Sequence, residues 1–205
     1  MNVRLQYTIP FTAAVHYQDR LIMNNYFLRT YMITNTADAE NHNIAFDRLK
    51  YFITEEMDST VFINSACIEA CESYLAAGMK ITTLPNEPVD QIIGVMLFCK
   101  LNAIMEERIT IVETELSSTV GDNMVYMHGE HETTDNLVLP DWWTTSDVVH
   151  CDSELIDSDN VLSLLKSNVW KELGLDWPDI EPTDKSPNAT GNIVFADFGK
   201  DDTKQ

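Results

Sequence analysis

Arg108-Ile109-Thr110-Ile111-Val112-Glu113-Thr114-Glu115-Leu116-Ser117-Ser118, then Gly121-Asp122-Asn123, then Met124-Val125-Tyr126-Met127-His128, is the stretch that decides the fold. The first run predicts a strand, the Gly-Asp-Asn group a turn, and residues 124–128 the returning strand of a hairpin. Immediately upstream, Pro88 to about Met105 predicts a strong helix. Proline in the first turn, with acid at Glu87 and Asp90, suits the positive N-terminal end of a helix dipole.

The same reading extends outward. Val3 to Ile9 alternates, with Val3, Leu5, Tyr7 and Ile9 on one side, and predicts a strand that stops at Pro10. Leu21 to Thr34, rich in Ile, Tyr, Phe and Thr, predicts a long strand. Ala39 to Met57 carries Ile44, Leu49, Phe52 and Ile53 at amphipathic-helix spacing. Val61-Phe62-Ile63 is a short strand, and Asn64 or Ser65 caps a helix that holds Cys67 and Cys71 and stops at Gly78. Lys80 to Leu84 is a further strand before Pro85. Helices interleaved with hairpin-paired strands indicate an α+β fold, with an antiparallel or mixed sheet and helices packed on one face.

Composition changes near residues 130–140. Residues 1–132 carry 18 acidic and 8 basic side chains, including every arginine; residues 133–205 carry 15 acidic and 5 basic, all lysine. The latter region also holds all four tryptophans and most of the prolines. The expected organisation is an α+β core domain over 1–132 and an irregular acidic C-terminal segment over 133–205. Within that segment, Asp159 as N-cap and Gly174 as stop bracket one helix at about 159–173, and a flexible tail follows.

The formal net charge of −20 over 205 residues limits the partners. It disfavours direct contact with nucleic acid or an anionic membrane and favours a protein partner with a basic surface. The longest apolar run, residues 92–99, is far short of the roughly 20 residues that span a bilayer. The N-terminus has no signal-peptide core, so a cytoplasmic location is expected. Cys67, Cys71, Cys99 and Cys151 have no disulfide or zinc-knuckle spacing and are expected to be thiols, mostly buried.

Three groups of residues carry candidate chemistry. His128, Glu130 and His131, with His150 downstream, supply imidazole and carboxylate ligands for a divalent metal and suggest a metal-dependent hydrolase. The spacing matches no metalloprotease helix or zinc finger, so the no-cofactor reading stands beside it. Trp142-Trp143, in a strand, would face opposite ways, leaving one indole as an anchor for a basic partner; the favoured alternative is that both cover the hydrophobic face of the domain. Phe195 and Phe198 lie in the apolar island 193–198 of the acidic tail, which reads equally as a docking strand or as a second, partner-binding peptide motif. His150-Cys151-Asp152 is adjacent in sequence, which is poor geometry for a catalytic thiol. Seven scattered glycines build no phosphate loop.

Cys99-Lys100-Leu101-Asn102-Ala103-Ile104-Met105-Glu106-Glu107-Arg108, Ser117-Ser118-Thr119-Val120-Gly121-Asp122, Tyr126-Met127-His128 and Trp142-Trp143 together resemble uncharacterised proteins of T4-like phages of marine cyanobacteria. That resemblance implies a virus-encoded protein and brings no activity with it. The composite expectation is a non-enzymatic accessory or structural protein that binds protein partners through an acidic surface. A nucleic-acid-mimicking inhibitor and the metal-dependent hydrolase are the alternatives.

Overall fold

The computed structural model describes residues 4–132, 137–151 and 169–178. Strands β1 (Arg4–Tyr17) and β2 (Arg20–Thr34) form a long antiparallel hairpin. Its two-residue turn puts Gln18 and Asp19 at φ 49° and 57°, the left-handed pair that matches the twist of a tight hairpin. Helix α1 (Ala39–Tyr51) continues into a π-helical turn over Phe52–Met57. Then come β3 (Val61–Asn64), α2 (Ile68–Ala76), β4 (Ile81–Leu84), α3 (Asp90–Met105), β5 (Ile109–Ser118) and β6 (Tyr126–Gly129). A 3-10 turn at Asp141–Trp143 and the short helix α4 (Val169–Glu172) complete the described elements.

The fold is α+β. The six strands make one mixed sheet in the order β4-β3-β1-β2-β5-β6. β1 and β4 pair with β3 in parallel, whereas β2, β5 and β6 are joined antiparallel. A bulge interrupts the β2–β5 register between Tyr31 and Met32. Strand β1 runs straight through Pro10, which corrects the expected stop there. Pro10 lies opposite Phe27 of β2, while β3 pairs with β1 only at Ala14 and Val15. The missing N–H therefore falls where β1 has a neighbour on one side only, the position in which a strand tolerates proline.

Alternate residues of the strands point to one core. Ile9, Phe11, Ala13 and Val15 of β1, with Tyr26, Leu28 and Met32 of β2, pack against Ala45 and Leu49 of α1 and Met96, Leu97 and Leu101 of α3. The opposite register, Ala14, Val61, Ile63 and Ile81, packs under Cys71 of α2, so α1 and α3 line one face while α2 backs the other. Residues 142, 143, 148 and 170 belong to the main core cluster. The described parts of the acidic C-terminal segment thus sit on the same core as the sheet.

Lys100 of α3 is completely buried, and its Nζ donates to the carbonyls of Trp142 (2.7 Å) and Thr145 (2.9 Å). Asp147 Oδ1 lies 3.4 Å away, and burial pushes the amine down to about 8. Arg48 of α1 is also buried. Its Nε donates to Leu175 O (2.8 Å), and its Nη1 donates to Glu106 Oε1 (2.9 Å) and Ile104 O (3.2 Å). The guanidinium lies 4.8 Å from the Trp170 ring centre and 4.0 Å from that of Trp177, whose ring Arg108 also approaches at 4.2 Å. These cations hold residues 142–147 and 170–177 against the helices. All four cysteines are thiols, and no described helix is long and apolar enough to cross a membrane.

Candidate functional site

A cavity of about 240 Å³ opens where the turn end of the β1–β2 hairpin, the start of α3 and the β5–β6 connection meet. Its walls are apolar: Val15 and Ile22 from the hairpin, Pro88 and Val89 from the helix start, and Val120 from the connection. Tyr17, Asn24, Asp90, Gly121 and Tyr126 complete the lining. The polar members are tied to one another. Asn24, 2% exposed, accepts from Val120 N (3.0 Å) and Thr119 Oγ1 (3.1 Å) through Oδ1. Gly121 N donates to Ser118 Oγ (3.0 Å), and that hydroxyl donates to Asp90 Oδ2 (2.6 Å).

Gly121 leaves room for this closeness, which a larger residue would have to displace. A Cβ at that position would meet Asp90 Oδ2 at 2.5 Å. Burial raises the Asp90 carboxyl above its ordinary value, against the Ser118 hydrogen bond, which lowers it. The Tyr26 hydroxyl, buried beside Asn24 and Asp90, is pushed up in the same way. An apolar hollow with one partly desolvated carboxylate and two tyrosines in its lining suits an alkyl chain with a cationic head.

The sequence-predicted residues fall elsewhere. His128 on β6 stands edge-on to Phe98 of α3, ring centres 5.0 Å apart, and burial lowers its basicity while Glu132 opposes that. Glu130 and His131 lie in the turn just after β6, where Glu132 Oε2 accepts from Gly129 N (2.6 Å). His150 sits beside β4, its Nδ1 donating to Ile81 O (2.6 Å) and its Nε2 3.1 Å from Glu56 Oε2. Since β4 and β6 are opposite edges of the sheet, the structure does not bring His150 to the other three. Among the described residues, no group of three or more His, Cys, Asp or Glu is placed to hold a metal ion.

Trp142 and Trp143 lie in a 3-10 turn, not a strand, and both are buried, at 5% and 0% exposure. A 3-10 turn does not send consecutive side chains to opposite faces, so the strand and its exposed partner anchor are corrected, while the favoured reading, both indoles on the hydrophobic face, agrees with the packing over α3. Phe195 and Phe198 lie outside the described residues, as does most of the helix expected at about 159–173, of which Val169–Glu172 is described. Sequence reasoning recognised Asp90 only as a helix-start acid. Ser118, Asn24 and Gly121 carry no local signal that joins them to it. Lys100 carries such a signal, a lone cation directly after the apolar run 92–99.

No family model matches the chain and no curated protein does. Among solved structures, an uncharacterised protein from Wolinella succinogenes is 9% identical and has a TM-score of 0.48, covering 64% of this chain and 99% of its own. The 6-pyruvoyl tetrahydropterin synthase of Plasmodium vivax is 10% identical with a TM-score of 0.42, covering 62% and 97%. Likenesses at this level transfer no site and no activity.

Proposed function

We propose that this chain is a non-enzymatic binding protein for a partner with a basic surface, and that the cavity at the start of α3 receives a lysine or arginine side chain of that partner. The observation that carries the reading is Asp90: a carboxylate raised by burial, in the lining of an otherwise largely apolar hollow, in a chain of net charge −20. The alkyl stem of a basic residue fills the space between Val15, Ile22, Val89 and Val120. Its charged head meets Asp90 and the tyrosine rings.

A bound cation stabilises the ionised carboxylate, so affinity rises with pH as Asp90 deprotonates, over a range set above that of an ordinary aspartate. The setting attached to this reading, a virus-infected bacterial cell, rests on the sequence resemblance alone.

The test is titration calorimetry with short lysine- and arginine-containing peptides against the wild type and Asp90→Asn. Loss of at least about tenfold in affinity in the variant, roughly 1.4 kcal/mol, is expected. Equal affinity in the two proteins would sink the proposal.

A further inference from the structure

The β6 edge of the sheet is the place where the partner's backbone can be gripped. Among the described residues β6 pairs with β5 alone, and no described strand lies beside its second edge. The segment Met124-Val125-Tyr126-Met127-His128-Gly129 carries no acidic, lysine or arginine side chain, and Met124, Val125 and Met127 are 60%, 52% and 56% exposed. An uncharged, apolar edge strand is one that folded proteins ordinarily blunt with charge or cover.

Acid surrounds it. Asp122 precedes the segment, Glu130 and Glu132 follow it, and Glu113 and Glu115 pair with Gly129 and Met127 across β5. Glu115 is already engaged by Arg29 (2.7 Å) and Tyr31 (2.8 Å). Tyr126 belongs both to β6 and to the cavity lining, so the edge and the Asp90 cavity adjoin at this residue.

We infer that the partner binds as an extended segment that adds a strand antiparallel or parallel to β6, alternating basic and apolar residues. This inference rests on the cavity reading for the basic side chain and adds to it the conformation of the ligand. Main-chain hydrogen bonds to β6 ahead of Gly129, whose N–H is already taken by Glu132 Oε2, supply affinity; apolar residues meet Met127 and Val125, and lysines meet Asp122 and Glu130. A second copy of this chain is the disfavoured occupant, because its own charge of −20 repels the same acidic surround.

The experiment uses the full chain with an acetylated peptide alternating lysine and valine, and the same peptide N-methylated on alternate amides. Hydrogen exchange is followed residue by residue. Slowed exchange at 124–129 with the unmodified peptide, and at least about tenfold weaker binding of the methylated one, is the expected result. Equal binding of both peptides, with 124–129 unprotected, overturns strand addition. If Asp90→Asn still weakens both peptides in that case, the cavity reading survives without the edge. No binding of either peptide overturns both readings. Protection of 124–129 in the protein alone, with sedimentation as a dimer, overturns the inference in favour of a second copy.

Discussion

Lys100 and Asp90 are each charged groups set against apolar surroundings, and burial works on them with opposite sign. Lys100 is held near 8 in the fold against 10.5 in the open chain. Over that interval the unfolded chain holds a proton that the folded one has released, so this lysine makes stability rise with pH. Cys99, raised from 9.0 to about 11, acts the other way, in wild type and variant alike. Comparing wild type with Lys100→Met isolates the lysine. At neutral pH the variant is expected to lose about 1–3 kcal/mol, because the carbonyls of Trp142 and Thr145 keep no donor. The gap should widen in favour of wild type between pH 8 and 10.5, read from urea midpoints across that range. A gap independent of pH would show the amine is not desolvated. For Asp90 the sign is reversed: its raised value favours the fold at low pH, and that contribution is lost as pH climbs through it. Asp90→Asn is therefore expected to melt no lower than wild type at neutral pH while binding worse, the signature of a site held for function.

At the level of elements, Arg48 is the joint between α1 and the segment 169–178. Arg48→Met keeps the stem and removes the bonds to Leu175, Ile104 and Glu106 together with both ring contacts. The expected cost is about 2–4 kcal/mol. Hydrogen exchange should accelerate at residues 173–175, while the β1–β2 hairpin stays protected; uniform acceleration would show that the arginine supports the whole core instead. Elements built from nearby residues were legible in the sequence. The 108–128 hairpin, the helix from Pro88 and the strand at 61–63 follow from alternation, helical spacing and turn residues. Pro10 misled because its harm depends on a neighbour strand that local spacing cannot place. The 39–57 helix was readable as apolar and amphipathic, but its last turn widens to a π-helix that buries Phe52, Ile53 and Met57. The cavity was not legible at all, since it is assembled from residues 15–24, 88–90 and 120–126, which only the sheet brings together. For the tryptophan pair burial was the favoured reading and only the element differs: a strand and a 3-10 turn direct adjacent side chains differently, and composition does not choose between them.

The whole molecule is organised by its charge. The described cations are few, and three are engaged within the molecule: Arg48 and Lys100 are buried, and Arg29 is paired with Glu115 at the surface. The acid is left to act outward, so long-range attraction belongs to the molecule rather than to one site. Association with a basic peptide should accordingly slow steeply as salt rises from about 0.01 to 0.15 M, as the Debye length falls from about 30 to 8 Å. Stopped-flow association rates measure this, and a salt-independent rate would remove steering from the account. The pair Trp142–Trp143 has a consequence of another kind. Its rings stand 6.1 Å apart at 81°, close and skewed enough for their electronic transitions to couple. That coupling makes the turn clasped by Lys100 an optical reporter native to the chain: circular dichroism in the indole bands registers whether the 141–147 turn is seated on α3, with no label attached.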